Sequence, residues 1–163
     1  MGSERAFLLL VIGLVVGEIA LRRRRARAVA AQDRADLDVI AGLGELVATG
    51  EDPAYVLLAA ATALTHLLRL VDCRYEPVPR SEAILPTIHP DGSVMWGSIA
   101  WDAERWGIPT DGAVIPVWSR GRQRGRFVLN APLALPYSRS DLAKAVSLVD
   151  QAGAALGRTS KPA

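Results

Sequence analysis

Cysteine is almost missing from this 163-residue sequence: Cys73 is the only one. An intramolecular disulfide is thereby excluded, as is any CxxC metal or redox pair, which fits a reducing cytoplasm. Histidine is nearly as scarce, with only His66 and His89 and no HxxxH spacing, so no zinc site is expected. The chain also lacks a GxSxG, an HExxH and a phosphate-loop motif. Asp102 and Glu104 stand in a polar stretch with no sign of a paired buried site. Neither catalysis nor a bound cofactor is expected. Net charge is also small, and the +2 left by 19 basic and 17 acidic residues is unevenly placed. Five arginines fall between Arg22 and Arg27, whereas from Val29 onward 13 basic residues face 15 acidic ones. The isoelectric point of about 9.0 therefore reports a local basic run suited to anionic lipid headgroups, and no nucleic-acid partner is expected.

Ahead of that run, AFLLLVIGLVVGEIAL supplies 16 residues, mostly apolar, from Ala6 to Leu21. A membrane-spanning helix needs about 17–25 such residues, so this span is short. Glu18 lies one turn before Arg22, where an acid-to-base pair partly neutralises it. The arginines behind the run act as a stop-transfer signal and place the C-terminal side of the chain in the cytoplasm. The expectation is a single-pass cell-membrane anchor over 1–25, with Arg22, Arg23, Arg24, Arg25 and Arg27 at the membrane interface. A cleaved export signal and a buried helix are the two other readings of the run. Gly13 and Gly17 form a small-xxx-small pair, a weak signal for packing between two such helices.

Residues 26–50 read as an amphipathic connecting helix, in which Leu37, Ile40, Leu43, Leu46 and Val47 recur every three or four positions among charged residues. Gly50 ends it. Asp52 and Pro53 then start a second helix, as N-cap and first helical residue. This helix, from Pro53 to about Leu70, is apolar nearly all round and is expected to be well buried. From Asp72 the period changes. CRYEPV reads as a strand, ILPTIHPDGSVMWGSIAW as two strands about the His89-Pro90-Asp91-Gly92 turn, and GAVIPVWSRGRQRGRFVLNAP as two more about a Gly121 to Gly125 hairpin. Ser138 to Asp141 form a capping box for a last helix, which Gly157 is placed to end, leaving 158–163 as a tail. With no βαβ alternation, this order predicts an α+β fold whose antiparallel sheet of five or six strands has helices on one side.

Three of these stretches together resemble the GAF domain, a small-molecule-sensing and dimerising module of signalling proteins. They are DPAYVLLAAATALTHLLRLVDCRYE, the GAVIPVWSRGRQRGRFVLNAP hairpin, and the closing helix SRSDLAKAVSLVDQAGAAL. The resemblance covers about Leu37 to Leu156, and the GAF-like domain itself is placed at 51–157. An apolar helix, arginines, a connecting helix and then such a domain is similar to the region after the last membrane helix in sensor proteins related to bacterial potassium-sensing histidine kinases. The resemblance implies a sensory or regulatory module that works as a homodimer or through a membrane or signalling partner, with a small-molecule ligand as a further partner. The Asn-Lys…Phe…Asp-Glu motif of cyclic-nucleotide-binding members is not found. Cys73 lies in the first strand, away from the pocket region where bilin-binding members carry theirs, and one cysteine cannot replace the several of the sulfoxide-reducing members. A membrane-tethered interaction or scaffold subunit that binds no small molecule is the alternative.

Trp96, Trp101 and His66 are the candidate ligand-pocket residues: indoles offer flat apolar walls with one donor, and a histidine can serve as a core residue or as a haem ligand. Trp106 and Trp118 complete the set of tryptophans, and His89 is expected to be solvated. Arg120, Arg122, Arg124 and Arg126 alternate at a period of two and form a candidate surface for anions, although a turn within the hairpin breaks that register.

Overall fold

Capping side chains set where the helices begin, and their backbone geometry shows where they stop. The computed structural model describes residues 34–35, 38–77 and 84–159, and the chain divides into two units, Met1–Asp38 and Val39–Ala163. The fold is that of the second unit. The expected anchor over 1–25 and its arginines lie outside the described residues, and among the described residues no helix is long and apolar enough to cross a membrane.

Helix α1 covers 39–49 of this unit and ends as expected at Gly50, whose φ of 77° is the left-handed C-terminal conformation that glycine adopts without strain. Helix α2 spans Pro53–Leu67. Its N-cap Asp52 accepts a hydrogen bond from Ala54 N at 3.0 Å, and Pro53 fills the first turn, where its missing N–H costs nothing. At the other end Arg69 takes a φ of 51°, while Leu70 N donates to Thr65 O at 2.9 Å, closing the helix in the way a glycine usually does.

The strands are β1 (Asp72–Pro77), β2 (Thr87–Ile88), β3 (Val94–Trp96), β4 (Ile99–Trp101), β5 (Ala113–Ser119) and β6 (Arg122–Asn130). Helix α3 (Ala103–Trp106) lies between β4 and β5, and α4 (Arg139–Thr159) comes after β6. The fold is α+β, with a six-stranded sheet in the order β1-β6-β5-β2-β3-β4. Four of the pairings are antiparallel, but β2 and β5 run parallel at Thr87↔Val114, so the wholly antiparallel sheet expected from the sequence is corrected to a mixed one. The reason is the connection: parallel neighbours need a link of about a dozen residues or more, and 89–112, which holds β3, β4 and α3, supplies it.

The turns explain two more differences. His89-Pro90-Asp91-Gly92 does reverse the chain, with Gly92 N donating to His89 O at 2.9 Å and Asp91 Oδ1 accepting from Ser93 N and Oγ. A second tight turn at Gly97-Ser98, however, splits the next stretch into β3 and β4, giving three strands where two were expected. The β5–β6 hairpin turns at Arg120-Gly121, both with positive φ, the conformation that matches the twist of paired strands. Gly125 lies within β6, opposite Val117 and Pro77, where a Cβ would collide with Glu76 O and Tyr75 Oη.

One face of the sheet holds the core. Ala113, Ile115, Val117, Phe127 and Leu129 meet Leu64 of α2 and Leu142, Leu148 and Val149 of α4, most of them with no exposed surface. Burying side chains of this size stabilises by about 1.5–3 kcal/mol each. The capping box at the start of α4 forms reciprocally, Asp141 N donating to Ser138 Oγ and that hydroxyl to Asp141 Oδ2. Gly157 does not end the helix, which continues to Thr159; it sits where a Cβ would come 2.7 Å from Ser119 Oγ, so its role is close approach to the hairpin.

Candidate functional site

The two tryptophans expected to line a pocket both hold backbone segments in place, and Trp101 also borders a cleft. Trp96 and Trp101 meet edge to face with ring centroids 5.8 Å apart. Each indole donor is taken by a backbone carbonyl, Trp96 Nε1–H by Ile84 O at 3.0 Å and Trp101 Nε1–H by Gly107 O at 2.7 Å. Trp101 does border a cleft of about 330 Å³ together with Tyr137 and Arg139, but Trp96 does not line it. Asp102 and Glu104 beside them also have structural partners: Asp102 caps α3 by accepting from Arg105 N, and Glu104 accepts from Arg139 N at the start of α4.

His66 is exposed, which corrects the expectation that α2 is buried all round. The core takes Val56, Ala60, Ala61 and Leu64, whereas Tyr55 and Leu58 on the outer face are 54% and 65% exposed. With Val39, Leu43 and Leu46 of α1 they flank an apolar groove of about 540 Å³ that His66 closes at one end. The stripe of α1 is likewise divided. Leu43 and Val47 belong to the core, while Val39 remains 40% exposed; Leu37 lies outside the described residues.

The four hairpin arginines do not form a uniform anion-binding surface. Arg120 is in the turn, Arg122 is exposed, Arg124 is half-buried and Arg126 is buried, a gradient running from the tip into the sheet. Arg126 Nε donates to Glu76 Oε2 at 2.9 Å across the β1–β6 pair, and Arg74 reaches the other oxygen of Glu76 at 3.2 Å. That hydrogen bond from Arg126, with the charges of both arginines, holds the Glu76 carboxyl below the usual carboxylate range. Arg124 Nε is buried with no hydrogen-bond partner among the described residues.

A third space, of about 510 Å³, was not anticipated. The ladder between β2 and β5 has the single pairing Thr87↔Val114, so beyond it the outer edge of β5 has no strand partner among the described residues. The cavity opens there between 84–90, the β5–β6 hairpin and one side of α4. Ile88, Val114, Val146 and Arg126, each at most 8% exposed, form its inner wall; His89, Trp118, Gln123 and Asp150 stand exposed around its mouth. Partial desolvation raises the Asp150 pKa even though the residue stands exposed. These residues come from four separate stretches, and no local spacing in the sequence connects them.

Cys73 is no nucleophile at neutral pH, because burial, with a smaller contribution from the charge of Asp72, pushes its thiol up to about 12. Among the described residues no group of three His, Cys, Asp or Glu side chains could hold a metal ion. Compared with protein-family models and with curated proteins, the chain matches none, so its likeness to GAF domains rests on the residues quoted for it.

Proposed function

We propose that the chain is a membrane-anchored regulatory module, GAF-like in kind and facing the cytoplasm, that works by pairing with a second copy through the groove between α1 and α2. The observation that carries this reading is the outer face of α2, where Tyr55 and Leu58 stand mostly exposed beside an apolar groove whose lining, among the described residues, includes no lysine, arginine, aspartate or glutamate. An apolar groove with an apolar ridge beside it can serve as both halves of a two-fold interface, each copy's Leu58 entering the other's groove. The short apolar run Ala6–Leu21 and the arginines behind it support the anchor and its orientation. Pairing would bring the connecting helices of two copies side by side, so that a change at the membrane or in the domain biases their register.

The test is disulfide trapping of the full chain in membranes, with Leu58→Cys or Tyr55→Cys. Native Cys73, which is half-buried, is replaced by serine in the background so that it takes no part in the readout. Covalent dimers should form at these positions and not at Ser147→Cys, on the exposed side of α4. Monomer alone at both α2 positions overturns pairing through this groove. A Leu58→Glu change should leave the fold intact and reduce pairing at least about tenfold, the cost of placing a charge in an apolar contact.

A further inference from the structure

The cavity at the free edge of β5 has the chemistry of a ligand site, and pairing through α1 and α2 makes no use of it. Its 510 Å³ falls within the range of about 300–1,000 Å³ seen for small-molecule pockets. Among the described residues its inner wall is apolar except for the half-buried Thr87 and the guanidinium of Arg126, whose side chain is 10% exposed. Among the described residues that guanidinium has one partner: Nε–H goes to Glu76, and the N–H groups of its two terminal amines have none. Glu76 does not line the cavity, so an entering molecule meets the arginine and not its carboxylate partner.

We infer that this cavity binds a small monocarboxylate with an apolar body, its carboxylate taken by the terminal amines of Arg126 and its body lying against Ile88, Val114 and Val146. A carboxylate matches the planar fork of a guanidinium with two parallel hydrogen bonds, and a mostly buried arginine whose terminal amines still reach solvent favours an anion over a neutral or cationic head. A body of apolar carbon is selected because Ile88, Val114 and Val146 make up most of the buried lining, with Thr87 the one further polar side chain inside the exposed rim among the described residues. A second negative charge on the ligand is disfavoured by Asp150 at the mouth. Trp118 and Pro116 give that mouth a flat apolar side suited to an aromatic body. The site does not depend on the pairing reading, since none of its lining residues belongs to α1 or α2.

The experiment is isothermal titration calorimetry on the full chain in nanodiscs, with 4-phenylbutyrate, its amide and the corresponding phenylbutylammonium as probes. The carboxylate should bind about tenfold more tightly than the amide, and the ammonium should not bind, as expected for a charge-assisted bidentate contact. Arg126→Gln should abolish the preference for the carboxylate, and Arg126→Lys should retain part of it. Because Arg126 is buried, its replacement can disturb the fold, so Glu76→Gln gives the independent reading. Removing the competing carboxylate should strengthen 4-phenylbutyrate binding several-fold while leaving the amide unchanged, an effect that loss of a structural ion pair would not give. Equal binding of acid and amide, no binding of any probe, or an unchanged or weaker carboxylate affinity in Glu76→Gln overturns the inference. Leu58→Glu, which disrupts pairing, should leave the carboxylate affinity unchanged, so failure of one proposal is distinguishable from failure of the other.

Discussion

Helix α4 is the more polar of the two long helices and places its apolar residues in the core, whereas α2 is apolar nearly all round and leaves several of its own in the open. In α4, Leu142, Ala145, Leu148, Val149, Ala152 and Ala155 are all buried. In α2, Leu64 has no exposed surface, yet Leu58 is 65% exposed six residues away. The difference shows that apolarity sets what a helix can bury, while which of its sides the neighbouring elements cover sets what it does bury. Helix α4 lies against the sheet and α2; α2 has α4, β1 and the core side of α1, and its outer face is left over.

The sharpest way to break this comparison is to truncate the two leucines of α2. Leu64→Ala should destabilise by about 2–5 kcal/mol, from lost burial plus the cavity left behind. Leu58→Ala should stay within about 0.5 kcal/mol when unfolding is monitored at dilutions where chains are unpaired. Denaturant titration of both variants decides it. Similar losses would mean that the two sides of α2 are not distinct.

Glycines sharpen the comparison further. A Cβ on Gly153 of α4 would run into the backbone of Trp118, whereas one on Gly42 of α1 would meet nothing within 4 Å. Gly153→Ala should therefore cost about 1–3 kcal/mol despite alanine's better helix propensity, because the helix is pressed against β5. Gly42→Ala should instead stabilise by up to about 1 kcal/mol through propensity and reduced freedom of the unfolded chain. Opposite signs in thermal unfolding are the expected result, and a loss at both positions would contradict an open outer side for α1.

These positions also show what was legible in the sequence. Caps were readable because they are local: Asp52-Pro53, Gly50 and the Ser138–Asp141 box all act where expected. The α+β class could be read from the order of the periods. Gly153 and Gly157 carried no signal of close approach, since what they touch is more than thirty residues earlier in the chain. The parallel β2–β5 pair was hidden for the same reason, two strand residues being too few to announce a neighbour. Of the site, the tryptophans were visible as residues but not as holders of backbone segments. The Arg126 cavity depends on a strand edge that only the sheet order reveals.

The smallest effect concerns a polar residue of the well-packed helix. Asp150 borders the cavity at β5, and burial raises its carboxyl pKa above the ordinary value. The sign comes from linkage: the folded state holds the proton more tightly than the unfolded chain does. This contribution to stability is full below the unfolded pKa and is lost as pH rises through the raised folded value, so at neutral pH the ionised side chain is a mild cost. Asp150→Asn keeps the shape and removes the charge. It should raise stability at pH 7 by no more than about 0.5 kcal/mol, as solvent screens a side chain this exposed, and should make no difference below about pH 3, where both forms are neutral. An equivalent change at Asp52, exposed at the start of α2, should act with the opposite sign, because its carboxylate caps the helix and loses strength as an amide. Paired pH–stability curves for the two variants would show whether α4 and α2 differ in their polar residues as they do in their apolar ones; curves of the same sign would remove that distinction.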